Sequence, residues 1–175
     1  MNKERTSGFR KLAGLVLFLF VSTAMFAQTD FSGSWVYNQA KSIMPQQGGM
    51  GGGPMGGGAL TVTQDAKTLT VIQKMQGPDG EMEMNRKYNL DGSVSENTMF
   101  MDMKGKSTLT WSADKKSIVI NTSMVFDMGG ESREMKTTET WTLSDGGKTL
   151  LVESVMPGPP DGGEPRKTTR GYDKK

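Results

Sequence analysis

Phe31-Ser32-Gly33-Ser34-Trp35-Val36-Tyr37 is the stretch on which the reading of this chain turns. It follows the apolar N-terminal segment and opens a run of β-type sequence. A glycine two residues before a tryptophan lets the backbone enter a crowded place, because glycine lacks the Cβ that would clash there. The tryptophan has the bulk to plug the closed end of a barrel. Everything after Tyr37 then has to supply strands that close back onto this one.

The rest of the chain supplies them as a series of hairpins. Leu60-Thr-Val-Thr-Gln64 leads through Asp65-Ala66-Lys67 to Leu69-Thr-Val-Ile72. Leu109-Thr-Trp-Ser-Ala113 leads through Asp114-Lys115-Lys116 to Ile118-Val-Ile120, and Trp141-Thr-Leu-Ser144 leads through Asp145-Gly146-Gly147-Lys148 to Leu150-Leu-Val152. Tyr88-Asn-Leu90 turns at Asp91-Gly92. Asp-Gly and Gly-Gly between alternating Thr, Val and Leu runs are the strongest short-range hairpin signals. Ten strands result, over roughly 34–38, 59–64, 68–76, 81–90, 94–103, 107–112, 117–127, 132–143, 149–156 and 167–173, with no helical period after residue 30. An open sheet of ten short strands would leave two bare edges, and closure removes them. The expected fold is therefore all-β, a ten-stranded antiparallel up-and-down barrel.

Short turns fix register, so the faces can be compared. Turns at Gly129-Gly130 and Gly146-Gly147 place Ile118 opposite Trp141, Met124 opposite Met135, and Trp141 opposite Val152. A turn at Gly77–Gly80 places Met75 opposite Met82. A turn at Asp91-Gly92 places Met82 opposite Met101 and Met84 opposite Met99. A loop at Lys104-Gly105-Lys106 places Met101 opposite Leu109 and Met99 opposite Trp111. The apolar residues share one face, as a single interior requires. Polar exceptions lie on that face too. Arg86 and Tyr88 join Met82 and Met84, Arg133 and Glu139 join Met135 and Trp141, and Arg170 and Tyr172 share a face of the last strand. Uncompensated charges inside are costly, so these pair, meet a ligand, or reach water at the strand ends.

Residues 1–27 have the order of a secretory signal peptide: Lys3, Arg5, Arg10 and Lys11, an apolar segment from Leu12 to Val21 that is too short to span a bilayer, and small residues at Ala24 and Ala27. The expectation is a periplasmic or secreted protein with no membrane span after cleavage, and a single domain over 28–175 with a flexible Gly/Met-rich loop at 48–58. The formal charge of +2 belongs to the whole chain. Residues 1–27 hold four of its 21 basic and one of its 19 acidic residues, so 17 and 18 remain, a net charge of about −1. Nucleic-acid binding is not expected on that balance. With no Cys and no His, the chain lacks disulfides, the common zinc ligands and the usual proton shuttle of hydrolases. The Gly-rich run lacks the Lys-Ser/Thr of a phosphate loop. No catalytic constellation and no cofactor site emerge, and a monomer is expected.

The two ends of the chain carry a resemblance. Phe31-Ser-Gly-Ser-Trp35 resembles the Phe-x-Gly-Thr-Trp that opens intracellular fatty-acid-binding proteins and the Gly-x-Trp of lipocalins. Thr169-Arg170-Gly171-Tyr172 resembles the Arg-x-Tyr on the last strand of fatty-acid-binding proteins. The whole chain is similar to exported bacterial lipocalin-like domains. The resemblance implies a calycin-type barrel in which Arg170 and Tyr172 hold a ligand carboxylate. Fatty-acid-binding proteins place a two-helix lid where this chain has its Gly/Met-rich run, so no lid is expected here.

Three functional readings remain open at this level. The first is a barrel that binds a small apolar or amphiphilic ligand, lined by Arg170, Tyr172, Arg86, Tyr88, Arg133, Glu139 and Trp111. A guanidinium fork and a phenol suit an anionic head group, although Arg170 can instead pair with Glu139 across Ser154. The second is Cu(I) or Ag(I) binding by the thioethers of Met82, Met84, Met99, Met101 and Met103, against which methionine serves equally well as an adaptable core filler. The third is a packed, ligand-free interaction module.

Overall fold

The computed structural model describes residues 28–44, 58–77, 80–99, 103–128, 131–158 and 162–175. The leader expected at 1–27 and all of the 48–58 run except Gly58 lie outside them, as does Met101. Ten strands form: β1 (Gly33–Ile43), β2 (Leu60–Gln64), β3 (Thr68–Gly77), β4 (Gly80–Asn89), β5 (Ser95–Thr98), β6 (Lys104–Trp111), β7 (Ser117–Met128), β8 (Glu131–Ser144), β9 (Thr149–Met156) and β10 (Arg166–Lys174). They make one antiparallel sheet in the order β4-β3-β2-β1-β10-β9-β8-β7-β6-β5. The first strand pairs with the last, with Trp35 opposite Lys174 and Tyr37 opposite Tyr172. Among the described residues, helical structure amounts to a 3₁₀ turn at Asp145–Gly147, and no helix is long and apolar enough to cross a membrane.

Alternation decides which face is inside. Leu60 and Val62, Leu69 and Val71, Ile118 and Ile120, and Leu150 and Val152 are buried at every second position, and threonines and lysines fill the outer face. The pairs Ile118–Trp141, Met124–Met135, Trp141–Val152 and Met75–Met82 stand in the registers that the turns demand.

One end is plugged. Phe31 and Trp35 have no exposed surface, and the Trp35 indole N–H donates to the Phe31 carbonyl at 3.1 Å. The Phe31 ring lies 6.1 Å from that of Trp111 and 6.3 Å from that of Trp141. Residues 29–31 are pinned across this end: the Thr29 N–H donates to the Lys115 carbonyl at 3.0 Å, and Gln64 bonds both the Thr29 carbonyl and the Phe31 N–H. Gly33 has φ +151°, a backbone conformation that residues bearing a side chain rarely adopt, which favours glycine at this place before the tryptophan.

The barrel is not closed by a ladder everywhere. The expected β4–β5 pairing of Met84 with Met99 does not form, and β5 is four residues long rather than ten. Side chains bridge the seam instead. The Lys87 N–H donates to Asn97 Oδ1 at 2.7 Å, and Asn97 Nδ2 donates back to the Lys87 carbonyl at 3.1 Å. The Asn89 N–H donates to Ser95 Oγ at 2.9 Å. Lys104, Gly105 and Lys106 lie in β6 rather than in a loop, with Asn97 opposite Gly105 and Ser95 opposite Ser107, so Met99 does not face Trp111. Glycine serves here because Met99 and Met124 crowd the place of its missing Cβ, at 3.0 Å and 3.2 Å.

Because Asn97 bonds both the N–H and the carbonyl of Lys87 across the seam, Asn97→Ala is expected to destabilise the protein by about 1–3 kcal/mol, the cost of leaving partly buried backbone groups without partners. Hydrogen exchange should show it first at the Lys87 amide. Unchanged protection there would contradict this account of the seam.

Candidate functional site

Burial falls away from the plug along β3, β4 and β8. On β8, Trp141 is buried, Glu139, Thr137 and Met135 are half-buried, and Arg133 is exposed. On β4, Tyr88 and Arg86 are buried, Met84 is half-buried and Met82 is exposed; on β3, Leu69, Val71 and Gln73 are buried and Met75 is half-buried. The interior is therefore sealed at the aromatic end. It grows more accessible toward a rim that carries Met75, Met82, Met84, Met99, Met124 and Met135.

One residue pair above the plug sits a polar cluster. Period-2 alternation brings Glu139 inward from β8, Ser154 from β9, Arg170 and Tyr172 from β10, and Arg86 and Tyr88 from β4. Arg170 Nη2 donates to Glu139 Oε1 at 2.6 Å and to Ser154 Oγ at 2.9 Å. Ser154 Oγ and the Trp141 indole N–H also donate to the Glu139 carboxylate, each at 3.3 Å. Arg86 Nη2 donates to Gln73 Oε1 at 3.0 Å. The Tyr172 ring meets Tyr37 edge-on at 5.8 Å. The pairing of Arg170 with Glu139 across Ser154, one of the two roles the sequence left open, is thus formed.

The electrostatics follow from that crowding. Burial alone would push the Glu139 carboxyl up; the guanidinium groups of Arg170 and Arg86 outweigh it and hold the group below its ordinary value. Burial pushes the Tyr88 and Tyr172 hydroxyls up, so both stay protonated and able to donate. Three buried nitrogens have no hydrogen-bond partner among the described residues: Arg86 Nε, Arg170 Nε and Trp111 Nε1.

The remaining candidates are spread out. Trp111 belongs to the aromatic plug. Arg133 lies exposed near the rim, six residues along β8 from Glu139 and so about 20 Å away. Met84, Met99 and Met103 are half-buried, and Met82 is exposed. Among the described residues, no group of three or more His, Cys, Asp or Glu is placed to hold a metal ion. Sequence reasoning missed Gln73, whose amide anchors Arg86; its inward parity between Val71 and Met75 was the available signal. A groove of about 430 Å³ crosses the outer face of β6, β7 and β8. Its two lysines, Lys106 and Lys136, already pair with Glu96 and Glu134.

Strand order, plug and nearly closed barrel make this a calycin-type barrel. No protein-family profile matches the chain, and no curated protein matches its sequence. Among solved structures, the chain is similar to zebrafish ileal bile acid-binding protein complexed with cholic acid. The two align with a TM-score of 0.51 and 16% identity over 83% of this chain and 98% of that one, a likeness of fold.

Proposed function

We propose that this protein is exported and binds a small apolar or amphiphilic ligand inside its barrel, with the polar end of the ligand at the Arg86–Tyr88–Glu139–Arg170–Tyr172 cluster. The observation that carries the reading is a cluster of ionised groups set into an interior whose buried side chains are mostly Val, Leu, Ile and aromatic, with a few neutral polar groups such as Gln73 and Ser107. Binding sites for small molecules are mostly apolar with a few placed polar groups, whereas a core built only for stability does better without buried ions. The bile acid complex of a similar fold supports the choice of an amphiphile. The methionine rim fits the same function: flexible thioethers line a mouth that adapts to its guest.

Native mass spectrometry of the protein as isolated, with a titration of the neutral fluorophore N-phenyl-1-naphthylamine, tests the proposal. A co-purifying lipid-like mass and saturable probe binding are expected. Absence of both overturns it. N-terminal sequencing of the protein from its native cells tests export, and a chain beginning at Met1 overturns that part.

A further inference from the structure

We infer that the ligand is a singly charged organic anion, and that Arg86 on β4, rather than Arg170, is the group that receives its charge. The inference rests on the interior-binding reading above and adds to it the ligand's charge and the residue that selects it.

The first line of argument is a charge count. The enclosed cluster holds two guanidinium groups, Arg86 and Arg170, against one carboxylate, Glu139. Arg170 is committed: its partner stands at 2.6 Å, and the same carboxylate receives Trp141 and Ser154. Arg86 is at least nine-tenths buried; it donates to a neutral amide, Gln73, and neighbours the Tyr88 hydroxyl, while among the described residues Glu139 acts on it from beyond ion-pair distance. Two buried cations that share one carboxylate leave an excess positive charge, which is unfavourable unless something supplies the missing anion. One monoanion balances the cluster.

The second line is independent of charge. Within the cluster, Arg86 Nε and Arg170 Nε are buried, have no hydrogen-bond partner among the described residues, and can only donate. Buried polar groups are normally satisfied, so what belongs there brings acceptors. A carboxylate brings two oxygens and suits the guanidinium fork. A hydroxyl or an amine brings fewer acceptors and adds a donor to a place already rich in them.

The experiment compares dodecanoate with dodecan-1-ol as displacers of N-phenyl-1-naphthylamine at pH 7.5, in the full chain and in Arg86→Met, Arg86→Lys and Arg170→Met. The parent protein is expected to prefer dodecanoate by roughly ten- to a hundredfold, the size of a charge-assisted hydrogen bond. Arg86→Met should lose that preference, displacing with acid and alcohol at similar concentrations, and melt no lower than the parent. Arg86→Lys should keep part of the preference, and it carries the test if the methionine variant does not fold. Equal binding of acid and alcohol by the parent overturns the inference, with water then filling the donor-rich site, and leaves the proposed function standing. A preference that survives in Arg86→Met but vanishes in Arg170→Met overturns it in favour of Arg170. A fall in melting temperature with Arg86→Met as large as that with Arg170→Met marks Arg86 as structural and also overturns it. A parent that binds no fluorophore removes the proposed function and this inference together.

Discussion

Replacing Trp35 with alanine is expected to remove about 3–5 kcal/mol of stability, the range for deleting a large aromatic side chain from a packed core. That is a large share of the roughly 5–15 kcal/mol that holds a domain together. Trp35 has no exposed surface, its indole N–H holds the Phe31 carbonyl at 3.1 Å, and the Lys174 ammonium lies 5.3 Å from its ring centroid. The substitution therefore opens a cavity and releases Phe31, against which Trp111 and Trp141 pack. A fall in melting temperature on the order of 10 °C follows for a domain of this size. Thermal denaturation followed by circular dichroism checks it, and a shift under about 3 °C would mean that the plug is not what holds this end shut.

The second large effect is at the buried ion pair. Arg170→Met is expected to cost about 3 kcal/mol, because it strands the Glu139 carboxylate in an apolar interior. The double variant Arg170→Met/Glu139→Leu should recover most of that loss, since removing both charges removes the desolvation cost along with the attraction. If the double variant is as unstable as the single one, packing and not charge accounts for the effect. The pair also sets an acid limb. The Glu139 carboxyl titrates below its ordinary value of 4.5 in the folded protein. Its contribution is then complete above that value and is lost as pH falls through the lower folded one. Urea titrations across this range should show stability declining with acid in the parent and declining less in Glu139→Gln.

The fold was legible because two-residue turns and strict alternation are local. Asp-Gly and Gly-Gly steps set the registers that bring Ile118 to Trp141 and Trp141 to Val152, and those registers hold. Reading failed where local chemistry was ambiguous. Lys104-Gly105-Lys106 has the composition of a loop, yet Gly105 is a strand residue whose missing side chain makes room for Met99 and Met124. The β4–β5 ladder was wrongly expected because Asp91-Gly92 marks a reversal, and a reversal does not oblige the strands to pair. The site was half legible. Alternation put Arg86, Arg133, Glu139 and Arg170 on one face, but depth along a barrel axis is not written in any local pattern. Arg86 proves buried and Arg133 exposed. The Glu139–Arg170 pair followed from register across Ser154, whereas the Gln73 anchor of Arg86 depends on how β3 and β4 twist past each other.

The side-chain seam between β4 and β5 has a consequence for how this protein fails. A barrel shut by a ladder exposes no strand border until it unfolds. Here closure rests on the amide of Asn97 and the short side chains of Ser95 and Asn89, all within one short stretch. Releasing them bares the backbone of a ten-residue strand without disturbing the nine hydrogen-bonded strand pairs around the rest of the circumference. Such a strand is a template for another chain. Self-association through β4 then requires only that the seam part, so propensity to polymerise is governed by a few polar atoms and is separable from global stability.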